Sequence, residues 1–212
     1  MAGSPVAGSP AAELLEVMRR LRAECDWKSA QTHRSLARYL LEETHETLEA
    51  IDTGDATGNW DHLREELGDL LLQVYFHAVI AEESGAFTFD DVAADIVAKL
   101  RRRNPHVFGT ASASGPVAVN ELWEQIKAAE KQRDSVTDGL PPGLPALLYA
   151  DKVLARLERS TPGAVAVAAT STDLGDRLLA LVAEARADGI DPEQALRDAV
   201  RRLLGDGAAV NP

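Results

Sequence analysis

The sequence predicts an all-α protein, and three observations carry that prediction. Ala, Leu, Glu, Asp and Arg dominate the 212 residues, while aromatic residues make up only 5%, a mixture that favours helix over the β-branched and aromatic usage of sheets. Apolar residues recur three and four apart along much of the chain, the period of a helix face and not of a strand. Runs rich in Gly, Pro and Asn separate these periodic stretches and mark turns between them. A hydrophobic fraction of 45% suits a globular chain with a real core.

Helical periodicity begins at about Ala12, with Leu14, Leu15, Met18 and Leu21 on one face, and a loop from Cys25 to Thr32 carries Trp27. The next helix spans Ser35 to Ile51 and ends in a turn-forming run from Thr53-Gly54-Asp55 to Gly58-Asn59. Asp61 stands where it can cap a third helix running to about Glu83. The short connection makes the two helices an antiparallel pair. Thr88, with Asp91 three residues on, reads as a helix start, leading through Val92, Ile96 and Leu100 to a stop at Asn104-Pro105. Residues 111–119 read as a small-residue linker, 120–133 as a charged helix, and 138–145 as a Pro- and Gly-rich turn region. A further helix is expected over 146–159, then a linker over 160–172.

A faded internal repeat follows. Glu66-Leu-Gly-Asp69-Leu-Leu-Leu has a counterpart in Asp173-Leu-Gly-Asp176-Arg-Leu-Leu, each leading into a Gly, an acidic start and a helix with basic residues near its end. The second copy lacks an upstream acidic helix.

The formal net charge of -12 argues against a nonspecific grip on nucleic acid or an anionic membrane, since both need a basic surface. A single cysteine, Cys25, rules out an intramolecular disulfide and fits a reducing compartment. The first residues, MAGSPVAGSPAAELL, hold neither a basic start nor a sustained apolar stretch and read as a loose tail. Nothing approaches the roughly 20 consecutive apolar residues of a membrane span. A soluble, cytoplasmic protein is expected.

The pattern with most chemistry is acidic and occurs twice: Glu42-Glu43-x-x-Glu46 and Glu65-Glu66-x-x-Asp69. Residues three apart share a helix face, so Glu43 pairs with Glu46 and Glu66 with Asp69. Glu43 falls within the stripe Leu36, Leu40, Thr47 and Ala50, while Glu66 and Asp69 border the stripe Leu63, Leu67, Leu70 and Val74. Carboxylates beside a buried face repel one another and lose solvation, a cost that cations relieve. Oxygen ligands on rigid helices suit Mg²⁺ or Mn²⁺. A Glu-rich helix face is ordinarily solvated surface, and it is the two clusters on consecutive helices that favour a metal site. Lys99, Arg101, Arg102 and Arg103 gather at a helix end, favourable to the helix dipole and, beside a metal, to polyphosphate. The five histidines form no zinc-ligand spacing with Cys25, and neither a Walker loop nor a Gly-x-Ser-x-Gly elbow occurs.

Four blocks in order, CDWKSAQTHRSLARYLLEETHETLEAI, LREELGDLLLQVYFHAVIAEESGAFTFDDV, KLRRRNPHVFG and ELWEQIKAAEKQR, resemble the MazG nucleoside triphosphate pyrophosphohydrolases over about Leu14 to Val153. The resemblance implies an all-α fold with a four-helix-bundle core and extra C-terminal helices. It also implies a homodimer that uses Mg²⁺, or Mn²⁺ in its place, to cleave NTPs or dNTPs to monophosphate and pyrophosphate, as housecleaning of the nucleotide pool. By matching position, Glu43, Glu46, Glu66 and Asp69 would hold metal, with Glu42 and Glu65 as outer acids or a water-orienting base. Lys99, Arg102 and Arg103 would bind phosphates; Trp123 and Lys127 match nucleotide-contacting positions, and Trp27 is a further candidate for stacking on a base. Where the family commonly reads Trp-Asp-Lys-x-Gln-Thr, this chain has Trp27-Lys28-Ser29-Ala30-Gln31-Thr32, which displaces the usual Lys by one position. The expected organisation is a tail over 1–11, a catalytic domain over 12–133 and a degenerate second half over 134–212. A non-catalytic helical scaffold that senses nucleotides or binds a partner is the alternative reading.

Overall fold

The computed structural model of the protein describes residues 8–130, 135–161 and 171–205. Every regular element among them is a helix: α1 (Pro10–Glu24), α2 (Asp26–Ser29), α3 (His33–Thr57), α4 (Asp61–Glu83), α5 (Phe89–Arg103), α6 (Pro105–Phe108), α7 (Pro116–Ala129), α8 (Ala146–Ser160), α9 (Leu174–Ala187) and α10 (Pro192–Gly205). The chain forms two compact units that divide after Lys127.

Local chemistry explains the starts and stops. Ser9 accepts a hydrogen bond from the Ala12 amide at the start of α1, with Pro10 in the first turn. Thr32 and Ser35 cap α3 reciprocally, and Thr88 and Asp91 do the same for α5 as the sequence predicts. Asn104 ends α5, after which Pro105 opens the single turn α6.

Two helix boundaries differ from expectation for identifiable reasons. Helix α3 continues through Gly54 to Thr57 instead of ending at Ile51. Gly54 is not a stop but a close approach: a Cβ there would lie 2.4 Å from Cε3 of Trp60. The stop is Gly58, whose φ of 74° is the left-handed conformation that glycine adopts without steric cost. Asp61 does not cap α4; it is the first helical residue, and its amide donates to Oδ1 of Asn59 at 2.9 Å. The loop expected over Cys25 to Thr32 contains the short helix α2. Helix α7 begins at Pro116, within the expected linker, and its expected end at Arg133 lies outside the described residues, as does most of the 160–172 linker.

In the first unit α4 packs against α3, α1 and α5. The core joins Leu15 and Met18 of α1, Leu36 of α3, and Tyr75, Phe76 and Val79 of α4, with Tyr39 and Phe89 packed on its margin. Complete burial of side chains such as Met18 contributes about 1.5–3 kcal/mol each. Tyr75 tilts against Phe89 at 4.1 Å between centroids, which fastens α5 to α4. Arg19 of α1 forks onto Glu82 of α4 at 2.8 and 3.1 Å. The buried face of α4 is its second half, Gln73, Tyr75, Phe76, Ala78, Val79 and Ala81. Leu67, Leu71 and Val74, three and four apart, are instead exposed, as is Leu40 of α3, because no other described helix covers that side of the pair.

The second unit is built from α8, α9 and α10, with Leu154, Ala155 and Val182 buried between them. Arg186 of α9 bridges to Asp151 and Glu158 of α8, each at 3.2 Å. Among the described residues no helix is long and apolar enough to cross a membrane.

Candidate metal centre and its surroundings

Antiparallel pairing of α3 and α4 brings the two acidic motifs together in space. One carboxylate oxygen each from Glu43, Glu46 and Glu66 lies within 4.8 Å of the others, a spacing that one cation can span. Glu43 sits half-buried on the inner edge of α3, with Leu36, Thr47 and Ala50 buried along the same face. Burial first, then the negative charge of Asp69, then charge and a shared hydrogen bond with Glu46, and then Glu66 hold the Glu43 carboxyl above its usual range. Asp69 therefore belongs to the same electrostatic cluster, although it is not one of the three with mutually close ligand atoms. Four acids confronting one another on two rigid helices are a structure under charge repulsion, which a hard cation with oxygen preference relieves.

Glu66 is the most enclosed of the ligand candidates with a stated exposure, its side chain only 12% exposed, and its Oε1 meets Nε2 of His62 at 2.9 Å. His62 is a neighbour that sequence reading passed over; its signal was the i,i+4 spacing to Glu66. Glu42 and Glu65 are both exposed. Glu42 and Glu46 line, with Arg38, Leu41 and His45, an open cavity of about 390 Å³ on the solvent side of α3.

The basic end of α5 keeps Lys99 and Arg102 exposed, while Arg103 is half-buried. The Arg103 guanidinium lies over the Trp123 ring, 5.4 Å from its centroid, so the α5 end and α7 meet through a cation–π contact. Lys127 reaches back to Glu124 at 2.8 Å, an i,i+3 ion pair within α7. Trp27 is half-exposed on α2 and stands edge-on to Tyr39, with centroids 6.1 Å apart. Tyr39 precedes Glu43 by four residues on α3, about 6 Å along the axis. An aromatic corner thus borders the acid cluster, and Tyr39 is a member that sequence reading did not single out.

The second acidic motif pair does different work. Asp173 caps α9 by accepting from the Asp176 amide, and Asp176 accepts from the Ser171 hydroxyl at 2.7 Å. Glu66 and Asp69, in contrast, stand inside α4.

Residues 31–108 match the MazG nucleotide pyrophosphohydrolase domain, an interval that contains the two acidic motifs and the α5 basic end. A protein of Thermotoga maritima named nucleoside triphosphate pyrophosphohydrolase/pyrophosphatase MazG is 38% identical over 216 residues, covering 91% of this chain and 82% of that protein. The nucleoside triphosphate pyrophosphohydrolase of Escherichia coli K12 is 47% identical over 149 residues; the match covers 68% of this chain and 55% of that enzyme's length. An uncharacterized 26.1 kDa protein from Streptomyces cacaoi is 45% identical over 208 residues, covering 93% of this chain and 84% of that protein. With acids of both motifs brought together from α3 and α4 and a MazG relative matched over 82% of its own length, the chain belongs to the MazG family of nucleoside triphosphate pyrophosphohydrolases.

Proposed function

We propose that the protein hydrolyses nucleoside triphosphates, ribo or deoxyribo, to nucleoside monophosphate and pyrophosphate in a Mg²⁺-dependent reaction that Mn²⁺ also supports. The observation that carries this reading is the convergence of Glu43, Glu46 and Glu66 within 4.8 Å, with Asp69 adding to the charge that holds Glu43 up. The donor set is all carboxylate oxygen, which fits a hard divalent ion. When bound, such an ion supplies charge neutralisation of the triphosphate and an activated water. The chain's own contribution is placement: Glu43, Glu46, Glu66 and Asp69 hold the ion, while Glu42 and Glu65 border the site.

Lys99, Arg102 and Arg103 bind the phosphates from the end of α5, and Trp123 orients Arg103 through the ring contact already described. Trp27, beside Tyr39, offers its exposed face to the base. Lys127 is the weakest of the substrate candidates, because Glu124 already engages its ammonium. The catalytic domain is assigned to residues 12–133 and the 134–212 region to a structural, degenerate second half, which the capping use of Asp173 and Asp176 supports. Clearing unwanted nucleotides from the cytoplasmic pool is the purpose this activity would serve. A homodimer is proposed as well, since Leu67, Leu71 and Val74 form an exposed apolar row on α4.

The test is incubation of the full chain with Mg²⁺ and a panel of natural and modified NTPs and dNTPs, resolving products by ion exchange. Monophosphate and pyrophosphate in equal amounts, lost on chelation, are the expected result. A folded protein that binds nucleotide but releases no product would favour the nucleotide-sensing scaffold instead.

A further inference from the structure

Arg22 lies outside every site so far described, yet its side chain is only 9% exposed. Its guanidinium faces two ways. Toward α4, Nε and Nη2 fork onto the two carboxylate oxygens of Glu83 at 2.8 and 2.5 Å. Toward the α2 segment, Nη1 donates to the backbone carbonyls of Lys28, Ser29 (3.1 Å) and Gln31 (3.0 Å). Glu83 keeps 44% of its side chain in solvent whereas Arg22 does not, so loss of the carboxylate leaves an enclosed guanidinium with hydrogen bonds unmade. Helix packing alone needs no cation that gathers three carbonyls of one short segment.

That segment is the one that presents Trp27. It is tied a second time: Nε2 of Gln31 donates to the Trp27 carbonyl at 2.9 Å, and the Ser35 hydroxyl at the start of α3 donates to Oε1 of Gln31 at 2.7 Å. The Lys28 ammonium lies over the Trp27 and Phe76 rings, at 5.3 and 5.6 Å from their centroids. The backbone that carries Trp27 is thereby tied at several points, and its ring stands edge-on to Tyr39 although half its surface is in solvent. A surface tryptophan left alone would sample several rotamers, and holding it in advance removes an ordering cost from ligand binding.

We infer that Arg22 and Glu83 are positioning residues for nucleotide recognition: their ion pair fixes the Trp27–Gln31 segment so that Trp27 is preset to receive a nucleobase beside the acid cluster. The inference rests on the reading of Trp27 as a base contact. It assigns the pair to the base end of the substrate and leaves the phosphate end to the metal and α5, so the two ends respond differently to substitution.

The experiment uses the full chain and the variants Arg22→Lys and Glu83→Gln. Arg22→Lys keeps the charge but cannot fork to a carboxylate and gather carbonyls at once. Calorimetry with Mn²⁺ measures the affinity of a non-hydrolysable α,β-methylene nucleoside triphosphate, and separately of inorganic tripolyphosphate, which has no base. KM and kcat are measured in parallel. Expected are nucleotide affinity weaker and KM higher by about 10-fold, the worth of one base–aromatic stacking contact, with tripolyphosphate affinity and kcat changed less than about 2-fold. Trp27→Ala should give the same loss, and adding Arg22→Lys to it should cost nothing further.

Equal loss for both ligands, or no loss in a variant that melts like the wild type, overturns the inference. If the wild type proves inactive but binds nucleotide, and Arg22→Lys weakens that binding selectively, the positioning role stands and the hydrolytic reading falls. A wild type that binds the nucleotide no more tightly than tripolyphosphate overturns the positioning role alone, and one that binds neither ligand overturns both.

Discussion

His33 and His77 face each other across α3 and α4, their Nδ1 atoms 2.7 Å apart and their rings stacked within 2° of parallel. At that distance one Nδ1 donates its hydrogen to the lone pair of the other. Burial first, and then the charge of His33, hold His77 below the usual histidine value, and its Nε2 is buried without a hydrogen-bond partner among the described residues. The unfolded chain titrates His77 at about 6.5. Between the folded value and about 6.5 the unfolded state binds more protons, so stability falls as the pH is lowered through that window and is retained above it. Thermal melts of wild type and His77→Gln from about pH 7.5 to pH 5.5 should converge toward acid, the wild type losing more. Glu43, raised in the folded state, acts in the opposite sense, and comparing the two proteins at each pH removes its contribution. Parallel curves would exclude the pair as the source.

Charge repulsion among Glu43, Glu46, Glu66 and Asp69 makes a second prediction that reverses with metal. In chelator, Glu43→Gln removes one of the crowded charges and should melt no lower than wild type. Relief of about 1 kcal/mol would raise Tm by about 2–4 °C for a chain of this size. With millimolar Mg²⁺ or Mn²⁺ the order inverts, because wild type gains binding energy that the variant lacks, and turnover by the variant should fall at least about 100-fold. Calorimetric melts in both conditions decide it; a variant that melts below wild type in chelator would show that the carboxylate holds the fold and not an ion.

Gly54 and Trp60 make a packing prediction at the far end of α3. A Cβ at position 54 would meet the Trp60 ring at 2.4 Å, well inside contact distance. Alanine is favoured over glycine inside a helix by about 1 kcal/mol, whereas overpacking typically costs about 1–3 kcal/mol, so the clash should win. Gly54→Ala is expected to melt lower and to shift tryptophan emission as the half-exposed ring is displaced. Placed on a Trp60→Ala background the same change should stabilise, since only the propensity gain remains. An identical sign in both backgrounds would mean that the ring moves aside without cost.

The acidic motifs were legible because their meaning depends on helix periodicity, which the residues themselves state. Glu43 with Glu46 and Glu66 with Asp69 needed only a helix and a short connection to meet. The Gly54 region misled for the same reason: a Gly in a run of turn formers signals a stop, and only the ring of Trp60 against it reveals a packing role. Leu67 and Val74 belong to the stripe predicted to border a buried face yet are exposed, because periodicity reports that a face is apolar, not which neighbour covers it. Arg22 carried no local signal at all. Its partners are the backbone of a segment six to nine residues on and a carboxylate on another helix, and backbone carbonyls have no sequence signature.

The contact between Arg103 and Trp123 separates phosphate binding from base binding in a measurable way. The guanidinium rests 5.4 Å from the ring centroid, a contact worth about 0.5–2 kcal/mol depending on solvation. If Trp123 acts by orienting Arg103 toward the phosphates, Trp123→Leu should raise KM for the nucleotide and weaken inorganic tripolyphosphate alike, by about 3- to 10-fold. The matching loss on both ligands is the opposite of the pattern expected for Arg22→Lys. Lys127→Ala, which removes one half of an i,i+3 pair with Glu124, should change either affinity by less than about 2-fold, the scale of such helix pairs. Inhibition constants for tripolyphosphate beside KM for one NTP provide the comparison. Should Trp123→Leu weaken the nucleotide alone, Trp123 would be a base contact in its own right and Arg103 would be oriented by other partners.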